Sequence, residues 1–152
     1  NDLHYPNFET QGQPLGVDIH TTAHVFSSPL CSPEYQTMFL QHRIVNRGTQ
    51  TLADMYAGQW TDIDIGFFRD DYVGCDTNRN AYFGYNGDDL DEGNVGYGNR
   101  PPAMGVKFLN QKMASFAYYN NDFTDFGNPD SAIDYYGYMR GYWKNGQPQE
   151  CF

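Results

Sequence analysis

Apolar and polar positions alternate strictly from Val17 to Val25. Val17, Ile19, Thr21, Ala23 and Val25 fall on one side, and Asp18, His20, Thr22 and His24 on the other. A period of two is that of a half-buried strand, predicted here from Gly16 to Ser28. SSPLCSPE, with two prolines, interrupts the chain. Alternation resumes over Tyr35 to Asn46, with Met38, Leu40, His42 and Ile44 opposite Phe39, Gln41, Arg43 and Val45. Arg47 to Gln50 reads as a turn, and Thr51 to Thr61 as the antiparallel neighbour returning from it, with Tyr56, Gly58 and Trp60 on one side. Further strands are predicted in Tyr72 to Tyr85, Ala103 to Leu109 and Lys112 to Asn120. The period changes once. Ser131 to Trp143 carries Ile133, Tyr136, Met139, Arg140 and Trp143 at helical spacing, opens with Ser131 and Asp134 in capping-box order, and stops at Asn145-Gly146. The expected fold is therefore mainly β, an antiparallel sandwich of jelly-roll type with one short C-terminal helix. Residues 1–152 are expected to form one domain, with residues 1–15, containing Pro6 and Pro14, as an irregular arm.

Composition supports this pattern. The 152 residues include 13 Tyr, 11 Phe, 16 Gly and eight Pro, which favours short strands and frequent turns over long helices. A net charge of -10 would repel a phosphate backbone, so nucleic acid is not an expected partner. No apolar run approaches the roughly 20 residues that span a bilayer. The chain begins at Asn1, as a processed or excised piece of a longer protein would.

The charge is not evenly spread. WTDIDIGFFRDDYVGCD, Trp60 to Asp76, places Asp62, Asp64, Asp70, Asp71 and Asp76 between apolar neighbours. In an extended segment Asp62 and Asp64 share a face, about 6.5 to 7 Å apart. Calcium takes six to eight oxygens from carboxylates, carbonyls and water in irregular geometry, and a strand end followed by a turn can supply them. The expected cofactor is Ca2+, although no EF-hand spacing is present. Asn86, Asp88, Asp89, Asp91 and Glu92 form a second candidate set. The plainer alternative is a solvated acidic edge, with Arg69 and Arg79 as counter-charges. Three cysteines allow three pairings, of which Cys31 with Cys151 is favoured because both lie in loop-like surroundings; Cys75 would stay a free thiol. Such a bond would close a loop of about 120 residues, worth roughly 4 to 5 kcal/mol in the chain-entropy model. His20, His24 and His42 fit exposed strand positions better than zinc, which needs three or four converging ligands.

Trp60, Tyr118, Tyr119, Tyr138 and Trp143 are candidate contact aromatics for a protein surface or a glycan, though strand aromatics more often pack in cores. No G-x-S-x-G, phosphate loop or H-E-x-x-H occurs. The acids are clustered, where a glycosidase would set two carboxyls across a pocket.

TDIDIG, DDYVGCD, YNGD at residues 85–88, NRPPAMGVKFLN, MASFAYYNN and YMRGYWKNGQP together resemble a β-rich region of large secreted proteins from Bacteroidetes-type bacteria. Those proteins usually carry a C-terminal sorting domain for surface export. The resemblance runs from about Leu15 to Pro148 and implies secretion and a place outside the cell or on its surface, with no established chemistry. The expected function is a non-enzymatic structural or adhesive module braced by calcium, with the subunit of an extracellular filament or surface layer as one version of it. Its partners would be further copies or other surface proteins. The alternatives are a carbohydrate-binding module and, third, a glycoside hydrolase.

Overall fold

A computed structural model describes residues 5–27 and 32–149. Two compact units, Asn1–Met55 and Tyr56–Phe152, make up the chain.

In the first unit, residues 5–16 form neither strand nor helix. β1 (Val17–Val25) and β2 (Met38–Asn46) pair antiparallel over their full nine residues, with a short 3-10 helix at Pro33–Gln36 in the connection. The partner of β2 is thus β1, not the predicted Thr51 to Thr61 strand. The register explains the choice, because it sets Ile19 against Ile44, Ala23 against Leu40 and Val25 against Met38. Residues 51–61 cannot compete: Asp54 has φ 49°, in the left-handed region where a strand breaks. Asn46 closes the intervening turn, its side chain accepting from the Gly48 N–H at 2.9 Å and donating to the Gln50 carbonyl at 2.9 Å. β1 was expected to be half-buried, yet nearly all of the ribbon lies open to solvent.

The second unit holds the rest of the sheet structure. β3 (Asp71–Asp76), β4 (Ala81–Asn86) and β7 (Ala103–Lys107) form an antiparallel sheet in the order β3-β4-β7. β5 (Leu90–Asp91) and β6 (Gly98–Asn99) form a small hairpin. The single strand region predicted for Tyr72 to Tyr85 is therefore a hairpin folded at residues 77–80. There Asp76 accepts from the Arg79 N–H at 2.8 Å, and Asn80 takes φ 59°. Residues 112–120, predicted as a strand, are irregular. α1 (Ala132–Met139) begins with the predicted capping box: Ser131 accepts from the Asp134 N–H, and the Asp134 carboxylate accepts from the Ser131 N–H at 2.9 Å. It ends at Arg140, short of the predicted stop, where Gly141 takes φ 83°. Among the described residues the chain is thus mainly β with one short α-helix near its C-terminus, its strands divided among three antiparallel sheets rather than closed into a barrel.

Two small aromatic cores hold the second unit together. Tyr82 packs against Phe108 and Phe116, and its hydroxyl meets Thr61 Oγ1 at 2.5 Å. Ile63 lies over β4, so close that a Cβ at Gly84 would stand 2.8 Å from its Cγ2. Tyr138 of α1 packs edge-on to Tyr119 and Trp143 and donates to the Gly127 carbonyl at 2.5 Å. Cys75 is a free, half-buried thiol. The expected Cys31–Cys151 bond lies outside the described residues. Among the described residues no helix is long and apolar enough to cross a membrane.

Candidate functional site

Antiparallel pairing sets Asp71, the first residue of β3, directly opposite Asn86, the last of β4. That one pairing joins the two acidic stretches, and the surrounding turns complete a corner. Gly87 donates to the Asp70 carbonyl at 2.8 Å, tying the ends of the hairpin. Asp91 is 2% exposed and accepts from the Phe67 N–H at 2.9 Å and the Tyr97 N–H at 2.7 Å, so its carboxylate staples two loops. Gly66 makes room for it: at φ 64° the residue sits where any Cβ would collide with that carboxylate.

The remaining oxygens are less well served. Asp71 Oδ2 accepts from the Ile65 N–H at 2.7 Å, while its Oδ1 is buried without a partner. Both carboxylate oxygens of Asp70 are buried and unpartnered. Asn86 donates through Nδ2 to the Asp88 and Leu90 carbonyls at 3.1 and 3.4 Å, yet its own Oδ1 is buried and accepts nothing. Burial pushes the Asp71 pKa above its ordinary value, and the negative charges of Asp70, Asp91 and Asp64 add to the rise against the Ile65 hydrogen bond. The Glu92 carboxyl, on the exposed rim, lies within hydrogen-bonding reach of the Asp70 carboxyl, and that contact raises its pKa, with burial adding to the rise.

Of the first predicted set, Asp64, Asp70 and Asp71 come to this corner and Asp76 does not. Asp76 lies at the far end of β3, where Arg79 takes it as an ion pair at 2.5 Å and holds its pKa low. Asp62 is exposed and its charge acts on Tyr119 instead. Of the second set, Asn86, Asp91 and Glu92 belong to the corner. Asp88 Oδ1 is taken by the Leu90 N–H at 2.8 Å, and Asp89 contributes its backbone carbonyl to the Arg100 N–H at 3.0 Å. Among the described residues no three His, Cys, Asp or Glu side chains already converge as a metal cage. His42 bonds Thr21 at 2.9 Å on the opposite face of the ribbon from His20 and His24, so the three do not gather.

The candidate contact aromatics also divide. Trp60 and Tyr118 are exposed; Tyr119, Tyr138 and Trp143 pack together around α1. Tyr138, 6% exposed, is core rather than contact surface. Sequence reasoning missed a different aromatic group. Tyr72, Phe83 and Tyr85 share the exposed face of the three-stranded sheet, with ring centroids 6.1 Å apart for Tyr72–Tyr85 and 6.0 Å for Phe83–Tyr85. Gly74 and Gly105, opposite Phe83 on its two neighbouring strands, leave that ring uncovered. Period-two counting within DDYVGCD and AYFGYN could have found them. Two open hollows, one lined by residues 77–80 and 107–113 and one by parts of β1, β2 and residues 48–55, do not reach the carboxylates.

Comparison of the chain with family models, with curated proteins and with solved structures finds no match.

Proposed function

We propose that this chain is a non-enzymatic structural or adhesive module of a secreted, surface-exposed protein, and that the β1–β2 ribbon makes its contacts. One observation carries the reading. Ile19, Val25, Met38, Leu40 and Ile44 lie on a single face of the ribbon, and their exposure runs from 41% at Ile44 to 72% at Val25. At about 25 cal/mol per Å2, covering such a face is a strong drive to associate. Among the described residues the ribbon pairs with no third strand, so each strand offers an open edge. Two-stranded ribbons are marginal in water on their own and gain stability when covered. A heterologous contact through this surface, repeated from copy to copy, would build a filament or layer.

The test is light scattering with negative-stain microscopy over a range of concentrations, on the native chain and on a Leu40→Lys, Ile44→Lys double variant. Ordered assemblies that the double variant disperses are the expected result. A native chain that stays monomeric at every concentration refutes the reading.

A carbohydrate-binding reading is favoured by a separate observation, the Tyr72, Phe83 and Tyr85 face. Flat exposed rings suit the apolar faces of sugars, and the Tyr72 and Tyr85 planes lie within 27° of each other. Retention on a glycan array that Tyr72→Ala and Tyr85→Ala abolish would select it over assembly.

A further inference from the structure

We propose that Asp70, Asp71, Asn86 and Glu92 form a calcium site at the corner where β3 begins and β4 ends. This proposal is independent of the contact-surface reading, and either can fail alone.

Six buried side-chain atoms among the described residues lack a hydrogen-bond donor or acceptor, and four of them belong to this corner: both oxygens of Asp70, Oδ1 of Asp71 and Oδ1 of Asn86. All four are acceptors. A buried acceptor left without a donor is costly, and buried carboxylates left without a counter-charge are costlier still. No ion pair among the described residues relieves them, since the cations in such pairs go to Asp18, Asp76 and Asp130. Arg69, next in sequence, lies over the Phe68 ring with its guanidinium carbon 5.8 Å from the centroid. What the corner lacks is positive charge, and a hard cation supplies that.

Asn86 separates this corner from an ordinary acidic edge. It is 7% exposed, its amide nitrogen is anchored to backbone carbonyls of the following loop, and so its free oxygen is fixed beside Asp71. An acidic surface placed only for solubility has no use for a buried, unpartnered amide oxygen on a residue paired with an aspartate. A cation site does, because a neutral oxygen adds coordination without adding repulsion.

The donor chemistry selects calcium. Three carboxylates and one amide oxygen offer up to seven oxygens, of which four are already desolvated. Calcium accepts six to eight oxygens at 2.3–2.6 Å in irregular arrangements, whereas magnesium demands a near-ideal octahedron and keeps its waters. No nitrogen or sulfur ligand is present to favour zinc. The carboxylates do not yet converge. Mutual repulsion opposes their approach, and the cation removes it. Asp91 is a positioning residue: with both oxygens on backbone N–H groups, it holds the loops that frame the corner.

The experiment is thermal unfolding of the full chain in EDTA and in millimolar calcium, with terbium luminescence sensitised by the adjacent Tyr72 as a direct binding readout. Saturating calcium should raise the midpoint by about 5 °C or more. Asp70→Asn keeps the side chain's shape and removes a charge that no ion pair among the described residues balances. That variant should fold in EDTA at least as well as the native chain while binding at least about tenfold more weakly. Asn86→Leu should also lose the calcium response, and Asp76→Asn should retain it in full. The assignment is overturned if calcium shifts nothing, if Asp70→Asn responds as the native chain does, or if magnesium produces an equal shift.

Discussion

Replacing Asn80 by alanine should be among the most damaging single changes outside the two aromatic cores. Asn80 closes the β3–β4 turn and at the same time holds the segment that follows β7. Its Nδ2 donates to the Phe108 carbonyl at 2.8 Å and to the Gln111 carbonyl, and its Oδ1 accepts from the Met113 N–H at 2.5 Å. Its backbone carbonyl accepts from Phe108 N–H at 3.0 Å, a bond any residue would keep. Two of the three side-chain bonds are partly buried, at about 1 kcal/mol each, and the more exposed Gln111 bond is worth less. A further cost of about 1 kcal/mol arises because φ 59° suits asparagine far better than alanine. The sum is about 3 kcal/mol for Asn80→Ala. Asn80→Gly separates the two contributions: it tolerates the backbone conformation and should cost about 2 kcal/mol, the side-chain bonds alone. Urea unfolding followed by tyrosine and tryptophan fluorescence measures both. A loss below about 1 kcal/mol for the alanine variant, or equal losses for the two, would refute the reasoning.

Tyr138→Phe should cost about 1–3 kcal/mol, because it leaves the buried Gly127 carbonyl without its donor; chemical denaturation checks it. The same phenol gives an alkaline signature. Burial, with Asp134 next, pushes its pKa up to about 12 from an ordinary 10, so its contribution is fully present below pH 10 and is lost as pH rises through 12. A stability profile from pH 9 to 12 should therefore fall more steeply for the native chain than for Tyr138→Phe. Ser131→Ala should cost about 1 kcal/mol by unfastening the capping box, with the helical circular-dichroism signal melting earlier.

The parts of the fold that were legible in the sequence are those set by local rules. Alternation located β1 and β2, and the serine and aspartate three residues apart marked the start of α1, because a cap is made by neighbours in sequence. Pairing was not legible in the same way. A hairpin between 35–46 and 51–61 needs only a plausible turn, whereas the real partner of β2 stands beyond a connection of a dozen residues containing two prolines. What decided between them was a nine-residue register that matches apolar with apolar along one face, together with one left-handed residue, Asp54, that spoils the competitor. Neither shows in a window-by-window reading.

The acidic corner shows the same limit at the level of a site. Read along the chain, Asp62 to Asp76 and Asn86 to Glu92 are two clusters, each with its own ligand set. Folding a hairpin at residues 77–80 places residue 71 against residue 86, and the two clusters become one. The same fold sends Asp76 to the opposite end of β3, next to Arg79, where charge is already balanced. Counting acids therefore grouped Asp76 with residues from which the fold separates it, and separated Asp71 from Asn86, which the pairing brings together. The more telling residue is Asn86, which carries no charge. Density of carboxylates explains why a cation would be attracted, but a solvated loop has that density too. A buried amide oxygen with no donor, held in place by its own nitrogen, gives the corner a direction, and that is a property of the folded chain alone.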